Sequence, residues 1–330
     1  MHPTKDPYVF FAFVSFFPQL VAGPIERASN LLPQFNKPRV FNYDKATDGL
    51  KLIIIGLFKK MVIADNCSLV VNEIFNNYTD QTGSTLFLGA VFFAFQIYGD
   101  FSGYSDIAIG TAKLLGFDLM KNFNMPYLSR NLGEFWRRWH ISLSTWFRDY
   151  VYIPLGGNRG SKFQVIRNIF IVFLVSGLWH GANWTFIFWG LIHAICFLPL
   201  ILIKQKYKLS EIADGGQLLP SPKTIFSIVS TFFIVTLAWV FFRAETIQDA
   251  LLYLYGMINK SLFSMPNVPK TLVIFLFGYM CLEWFQRDKN HLLEIPFIKN
   301  KKVRLTLYYI IIFSIFYFAA DKQPFIYFQF

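Results

Sequence analysis

Two histidines in this chain are placed where an imidazole has chemistry to do. His140 lies in GEFWRRWHISLSTWFRDY, among arginines and tryptophans, and His180 ends the apolar run IFIVFLVSGLWH. A neutral imidazole is the side chain best suited to take a proton near neutral pH. At the end of an apolar helix it is costly to bury without a partner or a task. Acyl transfer to a hydroxyl calls for such a base, for donors that meet the oxyanion, and for a dry channel that keeps water from competing. His180 fits the base, with Trp179, Trp184 and Trp189 as a wall against water. His140 fits a residue that orients the base, relays a proton or contacts the donor. Arg137, Arg138 and Arg148 suit the binding of a phosphate-bearing donor at the cytoplasmic side. On spacing alone, the other reading stays open for both histidines: a hydrogen-bonded structural residue.

The remaining chemistry-bearing residues say less. His193 sits in the middle of an apolar run and reads as structural, and His2 and His291 carry no signal. Cys67, Cys196 and Cys281 show no paired spacing, and no His/Cys cluster is present, so no metal site is expected. No serine stands in a nucleophile-elbow pattern.

The elements that must position these residues belong to a membrane protein. The 330 residues are 54% hydrophobic and only 15% charged, and the mean hydropathy is +0.40; soluble domains carry about 25% charge. The net charge of +11 gathers in short loops between apolar runs. That distribution follows the positive-inside rule and is not a nucleic-acid footprint. Spans are expected at roughly 166–180, 183–203, 224–243, 270–286 and 303–320. Arg159, Lys162 and Arg167 precede the first of these, Lys204, Lys206 and Lys208 follow the second, and a basic group from Arg287 to Arg304 separates the last two. With those loops cytoplasmic, His180 and the turn holding Asn183 lie toward the outer side.

Upstream, the pattern is more mixed. Residues 8–22 are short for a span and read as interfacial or re-entrant. Residues 50–64 read as a helix whose Lys59 and Lys60 snorkel to the interface. The apolar block 85–116 carries a polar insert with Asp100 and Asp106. Either it is a loop between two spans, or it is the polar lining of an internal chamber that supports the site. Residues 133–150 place Phe135, Trp139, Leu143, Trp146 and Tyr150 at helical spacing, which predicts an amphipathic helix in the interface with His140 at its border. The glycines of YIPLGGNRGSK predict a turn, with a phosphate cradle as the less specific alternative. No repeat or linker divides the chain.

SFFPQLVAGPIERASNLLPQF, YGDFSGYSDIAIGTAKLLGF, NFNMPYLSRNLGEFWRRWHISLSTWFRDYVYIPLGGNRG and SGLWHGANWTFIFWGLIHA together resemble the membrane-bound O-acyltransferase family, in its alginate O-acetyltransferase, AlgI-like branch. The resemblance runs from about residue 8 to the FIYFQF end. It implies an all-α integral membrane protein, a multi-helix ring around amphipathic and re-entrant central helices, forming a single domain over 1–330. The family's functional histidine falls on His180, in Trp179-His180-Gly181, and its second histidine on His140. The resemblance further implies transfer of an acetyl group from a cytoplasmic donor, acetyl-CoA or another acetyl thioester, with no bound cofactor. The acceptor would be an extracytoplasmic polysaccharide such as alginate, served by a partner acetyltransferase protein outside a bacterial inner membrane. Members usually carry further membrane helices before SFFPQLVAGP, which this sequence is expected to lack. Transfer of D-alanyl or another acyl group to teichoic acid is the alternative within the family. A transporter or an inactive fragment is the alternative outside it.

Overall fold

The computed structural model describes residues 4–203, 213–258, 260–295 and 298–326; His2 and the last four residues lie outside these. All regular structure among the described residues is helical. The α-helices in chain order are α1 (Pro7–Val14), α2 (Ala28–Phe35), α3 (Tyr43–Phe58), α4 (Asp65–Asn76), α5 (Gly83–Leu114), α6 (Leu132–Arg138), α7 (Ile141–Phe147), α8 (Lys162–His180), α9 (Trp184–Leu202), α10 (Pro222–Arg243), α11 (Ile247–Met257), α12 (Lys270–Phe285) and α13 (Lys301–Phe318).

Helix α5 is the pillar, and it corrects one of the two readings of the polar insert. No loop interrupts it: its 32 residues run unbroken from the Thr82 cap. At 1.5 Å per residue it is about 48 Å long, against roughly 30 Å of hydrocarbon. Asp100, Ser102 and Ser105 are 3%, 0% and 1% exposed, so the insert faces protein rather than lipid. Of the apolar window of α5, 83% is inside the protein, against 28% for α8, 33% for α9 and 44% for α10. Those three helices turn most of their surface outward. These four are the described helices long and apolar enough to cross a membrane. The spans expected at 270–286 and 303–320 are present as α12 and α13, but fall outside that set.

Helix α3 crosses α5 backbone to backbone. A Cβ placed on Gly56 would stand 2.6 Å from the Gly103 carbonyl oxygen, and one on Gly110 would stand 2.5 Å from that of Gly49. Only glycine permits such an approach, the small-residue packing of membrane helices. After α3 the backbone takes a π turn over Lys59–Ala64, and the snorkelling expected for its lysines does not occur. Both turn inward to α5. Lys59 Nζ lies 2.7 Å from Asp106, and Lys60 Nζ lies 2.9 Å from Asp100 and 2.7 Å from Asp65. Two lysines and three aspartates in an apolar protein thus meet opposite partners, the condition under which burial is tolerated.

Helices α8 and α9 form a tight antiparallel hairpin, with Gly177 against the Phe186 carbonyl and Gly190 against that of Phe173. Each start is capped: Ser161 and Gln164 make a capping box before α8, and Asn183 caps α9. The glycine-rich stretch before α8 is a turn, with Gly156 and Gly157 at positive φ.

Candidate active site

The amphipathic helix expected over 133–150 is broken where it matters. Helix α6 ends at Arg138, Trp139 is extended, and His140 takes a left-handed conformation (φ 41°, ψ 57°) before α7 begins. Around the break the segment is buried, with Phe135 1%, Trp139 4%, His140 4% and Ser142 0% exposed, whereas Trp146 and Tyr150 near its end are exposed. Left-handed backbone costs a non-glycine residue about 1–2 kcal/mol, and such strain persists only where the surroundings impose it. Here they do. The Arg138 carbonyl accepts a hydrogen bond from Asn124 N (2.9 Å) and Ile141 N donates to the Asn122 carbonyl (2.8 Å), so the kink is pinned on both sides of His140.

The side chain is pinned too. His140 Nδ1 lies 3.1 Å from Asn122 Oδ1. The same oxygen accepts from Ser142 N at 3.3 Å and Ser142 Oγ at 2.8 Å, while Asn122 Nδ2 donates to Ser105 Oγ on α5 at 3.1 Å. A backbone N–H can only donate, so the atom facing it is the amide oxygen, and His140 Nδ1 is the protonated nitrogen. That leaves Nε2 of the neutral ring as an acceptor.

His180, 40 residues later in the chain, reaches the same place. It closes α8, with its ring 5.0 Å from Trp179, 5.2 Å from Trp189 and 5.0 Å from Phe242. His140 and His180 line one cavity of about 30 Å³, walled by Ile97 and Phe101 of α5, Trp139, Trp239 and Phe242 of α10, and Ile326. Trp179 touches both imidazoles, its ring 6.4 Å from that of His140. Two nitrogen bases therefore meet in a small space that is otherwise apolar and aromatic, a setting in which a proton can move without bulk water.

The other expected site residues are not at the cavity. Arg138 is tied to Glu134 (2.8 Å), which also holds Arg130 (3.0 Å). The guanidinium expected to meet an anionic donor thus shares one carboxylate with Arg130, which leaves the group of three net positive. Arg137, in the last turn of α6, is half-buried. Asn183 is a helix cap, its Oδ1 accepting from Thr185 N and its Nδ2 donating to the Glu245 carbonyl. Asp106 serves Lys59. Asp100 has a second duty: its Oδ2 accepts from Ile326 N at 2.6 Å, which brings the C-terminal segment into the cavity wall. His193 is fully buried against Trp136, Phe173 and Trp189, as its apolar surroundings predict. His291, without signal in the sequence, bonds Asp48 at 2.7 Å. Asn122 and Ile326 are the participants the residue-by-residue reading missed. Each acts through a backbone or amide contact that leaves no periodic trace in sequence.

The model of the membrane-bound O-acyltransferase family matches residues 6–244. The chain belongs to that family. It is 45% identical over 249 residues to the probable alginate O-acetylase AlgI of Azotobacter vinelandii, covering 75% of this chain and 47% of that protein. It is 42% identical to the peptidoglycan O-acetyltransferase of Helicobacter pylori, covering 80% of this chain and 49% of the relative. A teichoic acid D-alanyltransferase of Bacillus subtilis is 31% identical over 71% of the chain and 60% of its own length. The chain spans about half the length of the first two. The matched region contains both cavity histidines and ends just past α10, which supplies the Trp239 and Phe242 wall.

Proposed function

We propose that this chain transfers an acetyl group from a thioester to a hydroxyl of an extracytoplasmic polysaccharide, with His180 as the base. The observation that carries this reading is the convergence of His180 and His140 on one small aromatic cavity in a member of an O-acyltransferase family. In the proposed step the acceptor oxygen attacks the thioester carbonyl as the His180 imidazole takes the hydroxyl proton. The carbon–sulfur bond then breaks, and the imidazolium returns the proton to the departing thiolate. His140, its Nδ1–H fixed on Asn122, offers Nε2 as an acceptor and so orients the hydroxyl or the His180 ring. The walls of Trp139, Trp239 and Phe242 exclude the water that would hydrolyse the donor.

The donor is an acetyl thioester such as acetyl-CoA entering from the cytoplasmic side, and a partner protein outside the membrane receives or directs the product. Acetyl rather than D-alanyl is favoured by the higher identity to the acetylating relatives. Against a transporter, the intramembrane carboxylates Asp100 and Asp106 that could carry an ion are both paired with lysines within the fold.

The test compares wild type, His180→Ala and His140→Ala at matched membrane levels in a host lacking its own acetylating system, reading base-labile acetate on the surface polysaccharide. Acetate restored by wild type and lost in His180→Ala supports the proposal. Full acetylation by His180→Ala refutes the assignment of the base.

A further inference from the structure

Behind α13, residues 319–325 turn back into the protein without regular structure. Their path is fixed instead by polar contacts. Asn66 Nδ2 donates to the Phe318 carbonyl at 2.8 Å, Lys60 Nζ to the Gln323 carbonyl at 3.3 Å, and Ile326 N to Asp100 Oδ2 at 2.6 Å. Asp100 is 3% exposed and Ile326 1%. A carboxylate so deep in an apolar protein is expensive, and what it holds, besides the ammonium of Lys60, is the backbone of Ile326. The side chain of that residue is then delivered to the cavity between His140 and His180.

The cavity volume of about 30 Å³ is room for about two water-sized groups. The carbonyl and methyl of an acetyl group fill such a space. A third carbon must take the place of a wall atom, and the walls are not equivalent. Phe101, Trp239 and Phe242 are large rings and Ile97 is an isoleucine, all four held on the long packed helices α5 and α10. Ile326 is an aliphatic side chain on an irregular strap, and its methyl groups are what a longer acyl chain would have to displace.

We infer that Ile326 sets the upper length of the acyl group, making it a specificity-determining residue for the transfer proposed above, on which this inference rests. One additional methylene against a fixed apolar wall is discriminated by about 10- to 200-fold. The wild type therefore uses propionyl and butyryl thioesters at least about tenfold less well than acetyl. Shortening Ile326 removes that difference, because the anchoring contact uses its backbone N–H and survives the substitution.

The experiment uses membranes containing the full chain, coenzyme A thioesters of acetate, propionate and butyrate, and alginate oligosaccharide as acceptor, with ester formed and thiol released as the readouts. Ile326→Ala is expected to raise the propionyl-to-acetyl rate ratio by about tenfold or more, and Ile326→Val to give an intermediate ratio with acetyl transfer retained. Acetyl transfer by wild type with an unchanged ratio in both variants overturns the assignment of Ile326 and leaves the transferase reading intact. Loss of acetyl transfer in both variants also overturns it, since the residue would then be needed for the site and not for its length limit. No transfer from any thioester by wild type refutes the transferase reading itself, and the inference with it.

Discussion

Asn122 Oδ1 accepts a hydrogen bond from His140 Nδ1 across 3.1 Å while accepting two more from Ser142, so one buried amide fixes both the ring tautomer and the start of α7. Replacing it with Leu leaves His140 Nδ1 and the Ser142 hydroxyl without their acceptor, at a cost of about 1–3 kcal/mol. Asn122→Leu is expected to reduce acyl transfer at least tenfold and to change its pH profile, because the His140 tautomer is no longer fixed. Asn122→Asp keeps the acceptor and restores the profile in part. Identical pH profiles for wild type and Asn122→Leu would show that the amide has only a packing role.

Removal of either imidazole tests the division of labour. Loss of a general base costs about 10²–10⁴-fold, and this range is expected for His180→Ala. His140→Gln, which retains an acceptor near the position of Nε2, is expected to keep more activity than His140→Ala. Steady-state transfer rates at matched membrane levels separate these outcomes; equal losses in the two His140 variants would rule out the acceptor role.

Glu134 joins Arg130 and Arg138 while only 4% exposed. Glu134→Ala leaves two cations facing each other without their anion, a change that typically costs about 3–5 kcal/mol. The variant is expected to lose most of its folded yield in detergent, measured by size-exclusion recovery and thermal melting. Glu134→Gln should fall between it and wild type.

The crossing of α3 and α5 is intolerant of side chains. Gly103→Val is expected to prevent stable folding, since even a Cβ there would stand 2.7 Å from the Gly56 carbonyl. A Gly278→Val control, at a position where a Cβ meets nothing within 4 Å, should insert and melt as wild type does. Equal melting of the two variants would contradict the close crossing.

One contact outside the spans gives a pH dependence of definite sign. Burial pushes the Asp48 carboxyl up, but hydrogen bonds from Lys113 and His291 outweigh it and hold it below the usual carboxylate range. A group depressed on folding contributes stability that is present above its unfolded value, near 3.9, and lost as pH falls through its folded one. Asp48→Asn is therefore expected to lower the melting temperature in detergent at pH 7. The gap to wild type should close as pH drops below about 4. A gap that persists in acid would mean that the contact contributes through packing rather than charge.

The sequence was most legible where one-dimensional physics decides the outcome. The runs ending in His180 and spanning 183–203 and 224–243 became helices within a few residues of their expected bounds, because their hydropathy leaves the backbone no other way to satisfy its polar groups. The misjudged places are those where a partner lies far away in sequence. Asp100 and Asp106 leave a loop and an inward polar lining both open until Lys59 and Lys60, 40 or more residues upstream, are seen to pair with them. Residues 133–150 have helical spacing, yet two backbone hydrogen bonds, from Asn124 and to the Asn122 carbonyl, break the helix at His140. Spacing left the roles of both histidines open; the motifs of the family separated them from His193, and the cavity shows why the pair belongs together.

The π turn at Lys59–Ala64 accommodates one residue more than an α-helix of the same rise. The extra residue widens one turn and leaves α4 in phase with α3, so its removal would straighten the helix with both ends still in register. What would be lost is the local displacement that aims the Lys60 ammonium at Asp100 and Asp65, and with it the support of the carboxylate that anchors Ile326. The bulge thus aims one ammonium while the helices on either side of it keep their places.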